Sequence, residues 1–138
     1  MKYTNEIRVY YADTDAYGVV WHGSYLRWME AGRIEFTDKI LGLDLKKMQD
    51  EGIVLPVVDI NIKYKSSART DERLVMETEI AELRPSSITF KQTISNKETG
   101  IVNIIVTVNC LAVDTKTNKM MRRLPNCITK VEIKKQEA

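Results

Sequence analysis

The sequence predicts an α+β fold in which one long helix is wrapped by a curved antiparallel sheet. Apolar residues recur at intervals of three and four only from Tyr25 to about Leu41, as one face of a helix requires. One strand-like run precedes this stretch and five follow it. A sheet with one apolar face needs a cover, and this helix is the only predicted element long enough to provide it.

The segments on either side of the helix have their own signals. Residues 6–11 alternate polar with apolar or aromatic side chains and predict a half-buried first strand. Residues 13–23 are turn-like. We expect Ser24 or Gly23 to cap the start of the helix and Gly42 to close it in a left-handed conformation.

After the helix, the whole chain reads as strand. The five predicted strands, separated by turn-forming Pro, Gly, Asn and Asp, cover residues 53–64, 74–83, 87–95, 101–113 and 128–134. No internal repeat or linker interrupts them.

Length and composition predict one domain spanning residues 1–138. The chain is 43% hydrophobic and 29% charged, and at this length it can bury roughly two-thirds of its unfolded surface. It therefore needs neither a metal nor a disulfide to fold, and Cys110 and Cys127 are interpreted as reduced structural thiols.

Charge and hydropathy exclude several classes of partner. The net charge is +2, from 21 basic and 19 acidic residues, which is too small and dispersed an excess for a nucleic-acid surface. No run approaches ~18 apolar residues, so membrane insertion is not expected. The first nine residues lack the apolar stretch of an export signal, and we expect a soluble, cytoplasmic protein.

The inventory of catalytic residues is small. His22 is the only histidine, and no G-x-S-x-G elbow presents a nucleophilic serine. Cys110 lies in an apolar run, where its thiol would be a poor nucleophile. Two cysteines and one histidine at wide spacing do not form a zinc site, and no glycine-rich phosphate loop is present.

What remains is the loop that leads into the helix. Asp13 and Asp15 precede the helix start, where free N–H groups carry about half a positive charge and can stabilise an oxyanion. A carboxylate and oxyanion-binding amides are together the smallest set of groups that can catalyse acyl transfer. The same Asp-x-Asp pattern is also typical of plain turns, and the residues alone leave both interpretations open.

A wider pattern surrounds this loop: Arg8, Val9, Thr14, Asp15, Gly18, Val19, Val20, His22 and Tyr25. It resembles the signature of the 4-hydroxybenzoyl-CoA thioesterase family, and most closely its small bacterial acyl-CoA thioesterases associated with the Tol-Pal envelope system. The resemblance continues through residues 30–33, 57–69 and 123–125. One departure is Ser67, where relatives often have proline.

This resemblance implies a hotdog fold and hydrolysis of an acyl-CoA thioester to CoA and a carboxylic acid. Asp15 would be the nucleophile or the general base, with oxyanion donors at His22 or Gly23. The His22 side chain could itself act as an acid or base, although a backbone role is favoured. Asp13 is expected to bond to the loop backbone instead.

Further positions are predicted to touch the substrate. Gly18 and Val19 would bring the loop close to the thioester, while Tyr25 is either a substrate contact or a core residue. The phosphates of CoA, which is part of the substrate and not a cofactor, suit basic side chains. The candidates are Lys65, Arg69, Arg84, Arg122 and Arg123, although for any one of them an ordinary solvated charge at a strand end is the favoured interpretation.

Two other functional classes stay open. Another hotdog enzyme, such as a dehydratase or a thioesterase that acts on acyl carrier protein, would share the fold. A non-catalytic acyl-CoA-binding module is the second alternative. In every case we expect a homodimer or homotetramer, because a lone sheet leaves strand edges unpaired.

Overall fold

The computed structural model describes residues 1–126 and 128. The elements in chain order are β1 (Lys2–Arg8), a 3-10 helix (Tyr11–Asp13), α1 (His22–Lys39), α2 (Leu45–Asp50), β2 (Ile53–Val54), β3 (Val57–Tyr64), β4 (Arg73–Leu83), β5 (Ser87–Asn96), β6 (Val102–Leu111), β7 (Val113–Asp114) and β8 (Lys119–Met120).

A five-stranded sheet forms the body of the fold. Its order is β1-β4-β5-β6-β3, and every neighbouring pair is antiparallel. The strands β2, β7 and β8 form a second, small sheet. The predicted class, one long helix on a curved antiparallel sheet, is confirmed.

The core lies between α1 and one face of the large sheet. Met29 and Phe36 of α1 are almost fully buried, as are Met76 and Ile94 of the sheet. Gly32 allows the helix to approach closely, because a Cβ there would lie 2.5 Å from the Met76 methyl carbon. The sheet thereby holds the helix, and with it the helix N-terminus, in a fixed place.

The start of α1 differs from the prediction. Its N-cap is Trp21, not Gly23 or Ser24. Ser24 is buried inside the first turn, where its hydroxyl donates to the Asp13 carbonyl at 3.0 Å, so its oxygen ties the helix to the loop instead of capping it. The prediction for Gly42 is confirmed, since its φ is +68° at the end of the helix.

Several strand bounds were also wrong. The first strand ends at Arg8 and a 3-10 helix follows it. The run at 53–64 is divided at Leu55–Pro56, since proline cannot donate to a sheet. The run at 101–113 divides between β6 and β7. The helix α2 was missed altogether.

The strand predicted at 128–134 lies outside the described residues, except for Ile128, which is buried. Within the described part of the chain, neither helix is long and apolar enough to cross a membrane.

Candidate active site

The residues before α1 form a tight hairpin. Thr14 and Val20 make an antiparallel bridge, and the Asp15 N–H donates to the Val19 carbonyl at 2.9 Å. The Gly18 N–H returns to the Asp15 carbonyl at 3.0 Å, and Gly18 has a φ of +75°. Glycine adopts this left-handed conformation without strain, which explains its place in the turn.

The hairpin is fixed both to the segment between β3 and β4 and to the helix. Val20 donates to the Ala68 carbonyl at 2.9 Å, and Val19 bridges to Arg69. Trp21, the N-cap of α1, donates to the Asp13 carbonyl at 3.2 Å. Asp15 lies two residues beyond Asp13, so the hairpin keeps it within about 7 Å of the residue that is bonded to the helix N-cap.

Asp13 is the structural member of the aspartate pair. It is 4% exposed, and one carboxylate oxygen accepts from Arg27 at 2.7 Å while the other accepts from the Tyr10 N–H at 2.9 Å. Both oxygens are therefore occupied by protein donors. Asp13 makes the loop hydrogen bonds that the sequence predicted for it.

Asp15 has the opposite surroundings. Its side chain is exposed, and only Oδ1 has a described donor, the Tyr17 N–H at 2.8 Å. No described residue donates to Oδ2. This oxygen keeps its lone pairs available for a water molecule or a carbonyl carbon.

The N-terminus of α1 presents two free amides. Trp21 provides no side-chain cap, and no described residue accepts from the N–H of His22 or Gly23. The indole of Trp21 lies against Gly23, so closely that a Cβ there would be 2.1 Å from Cη2. The His22 ring is exposed and meets that indole edge-on at 5.2 Å. Free amides at a helix start favour negative charge.

Comparison with known proteins identifies the family. Residues 9–134 match the thioesterase-like superfamily. The chain belongs to this family. The family predicted from the loop pattern is thereby confirmed, together with the hotdog fold and the class of enzyme, a thioester hydrolase.

Individual relatives agree with this placement. The chain is 36% identical over 97 residues to the acyl-CoA thioester hydrolase YbgC of Escherichia coli, covering 70% of this chain and 72% of YbgC. It is 31% identical over 105 residues to the acyl-CoA thioesterase YbgC of Haemophilus influenzae, with 76% and 77% covered. A DHNA-CoA thioesterase structure from Staphylococcus aureus superimposes with a TM-score of 0.85 at 29% identity, covering 99% of this chain and 94% of that one.

A cavity of about 260 Å³ opens beside the end of the hairpin that precedes α1. Val20, Tyr25, Tyr64 and Lys65 line it, together with the serines of the following turn. Tyr25 is 3% exposed and stacks edge-on against Trp28 and Tyr64, so it is a core residue that also forms a cavity wall. Burial raises the pKa of its phenol, which keeps Tyr25 neutral and unsuited to act as a base.

The basic candidates fall into two groups. Lys65 and Arg69 lie at the Tyr64 end of β3, next to the loop. Arg84 lies beside Asp59 in the first half of β3 and is ion-paired with Glu82 at 2.8 Å. Arg123 is exposed near that same end, since its neighbour Leu124 bonds to Pro85. The first group therefore lies against Val19 and Val20 of the hairpin, whereas the second lies toward the other end of β3.

Two contributors to the site were missed in the sequence. Arg27 neutralises buried Asp13, and its position 14 residues later gives no local signal of this pairing. Trp21 covers Gly23. In this case the sequence held a local signal, because a glycine two residues after a tryptophan leaves room for the indole to lie against the backbone. Arg33 turns inward to Gln92, whose Oε1 it reaches at 3.0 Å.

Proposed function

We propose that the chain hydrolyses acyl-CoA thioesters, with Asp15 as the reacting carboxylate and the His22 and Gly23 amides as the oxyanion donors. The observation that carries this proposal is an aspartate with a free Oδ2 on the hairpin that leads directly into an uncapped helix N-terminus. Ser, Thr, Asp and Asn are preferred at this position, and their side chains accept from the second or third amide of the helix, here Gly23 or Ser24. The His22 and Gly23 amides remain open to a substrate oxygen.

The chemistry follows from these two parts. The amides polarise the thioester carbonyl and stabilise the negative charge that develops on its oxygen. Asp15 either removes a proton from an attacking water or attacks the carbonyl carbon itself. The C–S bond then breaks and the CoA thiolate takes a proton. With water as the nucleophile this leaves the carboxylic acid, whereas with Asp15 as the nucleophile it leaves an acyl-aspartyl anhydride that water must hydrolyse.

Isotope labelling distinguishes the two routes. In a single turnover in ¹⁸O-water, general-base catalysis places the label directly in the released acid. Attack by Asp15 gives an acyl-aspartyl anhydride first, and water attack at the aspartyl carbon then leaves the released acid unlabelled.

The substrate's CoA moiety needs a cationic surface, and we propose that two copies of the chain supply it. The edge strand β3 exposes apolar groups, with Val58 and Tyr64 51% and 57% exposed, and such an edge favours pairing with another strand. Antiparallel pairing of β3 with itself would bring Arg84 and Arg123 of one copy to the Lys65 end of the other. The phosphates would then lie among all four groups.

Release of CoA is the direct test of activity. We expect the purified protein to release free thiol from acyl-CoAs, measured with a thiol-detecting reagent. A non-catalytic acyl-CoA-binding module would bind the thioester and release none.

Parallel assays with thioesters of acyl carrier protein determine the acyl donor. We propose CoA as the donor and the cytoplasm as the location where the enzyme meets it.

A further inference from the structure

A second cavity lies away from the hairpin that carries Asp15. It measures about 320 Å³ and lies between the second half of α1 and the start of β3, a volume typical of small-molecule sites. Its walls are mostly apolar: Ile34, Leu45, Leu55, Pro56, Val57 and Phe90. Arg33, Glu30, Thr37 and Cys110 complete the lining.

Arg33 is the unusual member of this lining. Its side chain is half-buried, and burial lowers the pKa of the guanidinium below its ordinary value, although the nearby Cys110 and Glu30 act in the opposite direction. One N–H group donates to Gln92 Oε1 at 3.0 Å, yet no described carboxylate lies within 4.0 Å. A cation in an apolar cavity costs free energy unless an anion compensates it.

The neutral partner Gln92 holds this cation in position. Its Nε2 donates to the Met29 carbonyl at 2.8 Å and to the Thr78 hydroxyl at 3.1 Å, which directs Oε1 at Arg33. Gln92 is 1% exposed, so the contact is rigid. The guanidinium has five N–H donors, and its remaining ones are available to the cavity.

The cavity lies on the same side of α1 as the oxyanion amides. His22 and Arg33 are 11 residues apart, which places them within about 20° of each other around the helix and about 16 Å apart along it. Leu26, which is 40% exposed, lies on the same face of the helix, one turn before Glu30. Arginine side chains in helices lean toward the N-terminus, which shortens the gap to the thioester position.

We propose that this cavity receives the far end of the acyl group and that Arg33 binds a carboxylate carried there. The chain would then prefer mono-CoA thioesters of dicarboxylic acids to thioesters of fatty acids of equal length. This inference rests on the proposed function, in which the thioester lies at His22 and Gly23. A carboxylate suits Arg33 because the planar guanidinium can bind both of its oxygens.

Matched substrate pairs test the inference. We compare kcat/KM for dicarboxylic mono-CoA thioesters and monocarboxylic acyl-CoAs of equal length, from about four to about twelve carbons to bracket the reach along the helix. At the lengths that fit, the wild type should favour the dicarboxylic member by about tenfold or more. Arg33→Met should abolish this preference, and Arg33→Lys, which lacks the planar fork, should retain only part of it.

A second variant leaves Arg33 and Gln92 in place. Glu30 is exposed at the rim of the cavity, and its negative charge opposes an incoming carboxylate. Glu30→Gln should therefore raise kcat/KM for the dicarboxylic member while changing the monocarboxylic member less. No preference in the wild type at any length, or an equal preference in Arg33→Met, would overturn the inference.

Calorimetry separates this inference from the proposed function. Binding of the same thioester pairs to the wild type and to Arg33→Met is measured with Asp15 replaced by Asn in both, to prevent turnover. An Arg33-dependent binding preference, combined with no release of CoA by the protein that keeps Asp15, would sustain the inference and defeat the proposed activity. Turnover of fatty acyl-CoAs, with neither binding nor turnover depending on Arg33, would sustain the proposed activity and defeat the inference about Arg33.

Discussion

Two aspartates separated by one residue have different tasks because their oxygens have different partners. Asp13 is buried, and Arg27 and a backbone amide occupy both of its oxygens. Asp15 is exposed and keeps Oδ2 free of described donors. A base or nucleophile needs an available lone pair, so the proposed chemistry belongs to Asp15. The Asp-x-Asp spacing alone could not distinguish them, since Arg27 approaches only after α1 has formed.

Gly23 provides a prediction at the same scale. Gly23→Ala would bring a Cβ into collision with the indole of Trp21, so the indole must move from its place against Gly23. We expect altered tryptophan fluorescence and a lower kcat for thioester hydrolysis, since the displaced ring would sit over the oxyanion amides. In a Trp21→Leu background the same substitution should cost far less activity. An unchanged kcat in Gly23→Ala alone would contradict this role for Trp21.

Among the secondary-structure elements, α1 contributes most to the site. Its apolar periodicity in the sequence predicted both its existence and its packing, because burial of one face on the sheet determines that spacing. Its first residue was less predictable. Trp21 is a poor cap by propensity, and tertiary bonds from Ser24 and Trp21 to the Asp13 carbonyl define the start instead.

The strands also show that local sequence patterns predict elements well and that contacts between distant residues are not predictable from them. Alternation predicted β4 and β5 to within a residue at each end, because both lie in the centre of the sheet. The missed α2 has a sequence-local cause that was overlooked: Asp44 accepts from the Lys47 N–H at 3.0 Å as an N-cap. Arg33 could not be predicted to face Gln92, since the two are 59 residues apart.

For the whole molecule, the exposed β3 edge predicts self-association. Val58→Lys places a charge on this edge, and Thr4→Lys places the same charge on the opposite edge strand, β1. In sedimentation, wild type and Thr4→Lys should be dimers or larger, whereas Val58→Lys should shift toward monomer. Its KM for acyl-CoA should also rise, because Arg84 and Arg123 of a second copy would be lost. A monomer with full thioesterase activity would refute this assembly.

The central claim is that the Asp15 carboxylate drives thioester hydrolysis, and the kcat of Asp15→Asn tests it most directly. Asparagine keeps the shape and can accept from Tyr17, but it can neither take a proton from water nor attack a carbonyl as a carboxylate. We expect kcat to fall on the order of 10²-fold or more, with the fold and acyl-CoA binding retained. Asp38→Asn, on the exposed side of α1, should behave as wild type. Near-normal turnover by Asp15→Asn would contradict the account and return Asp15 to the role of a turn residue.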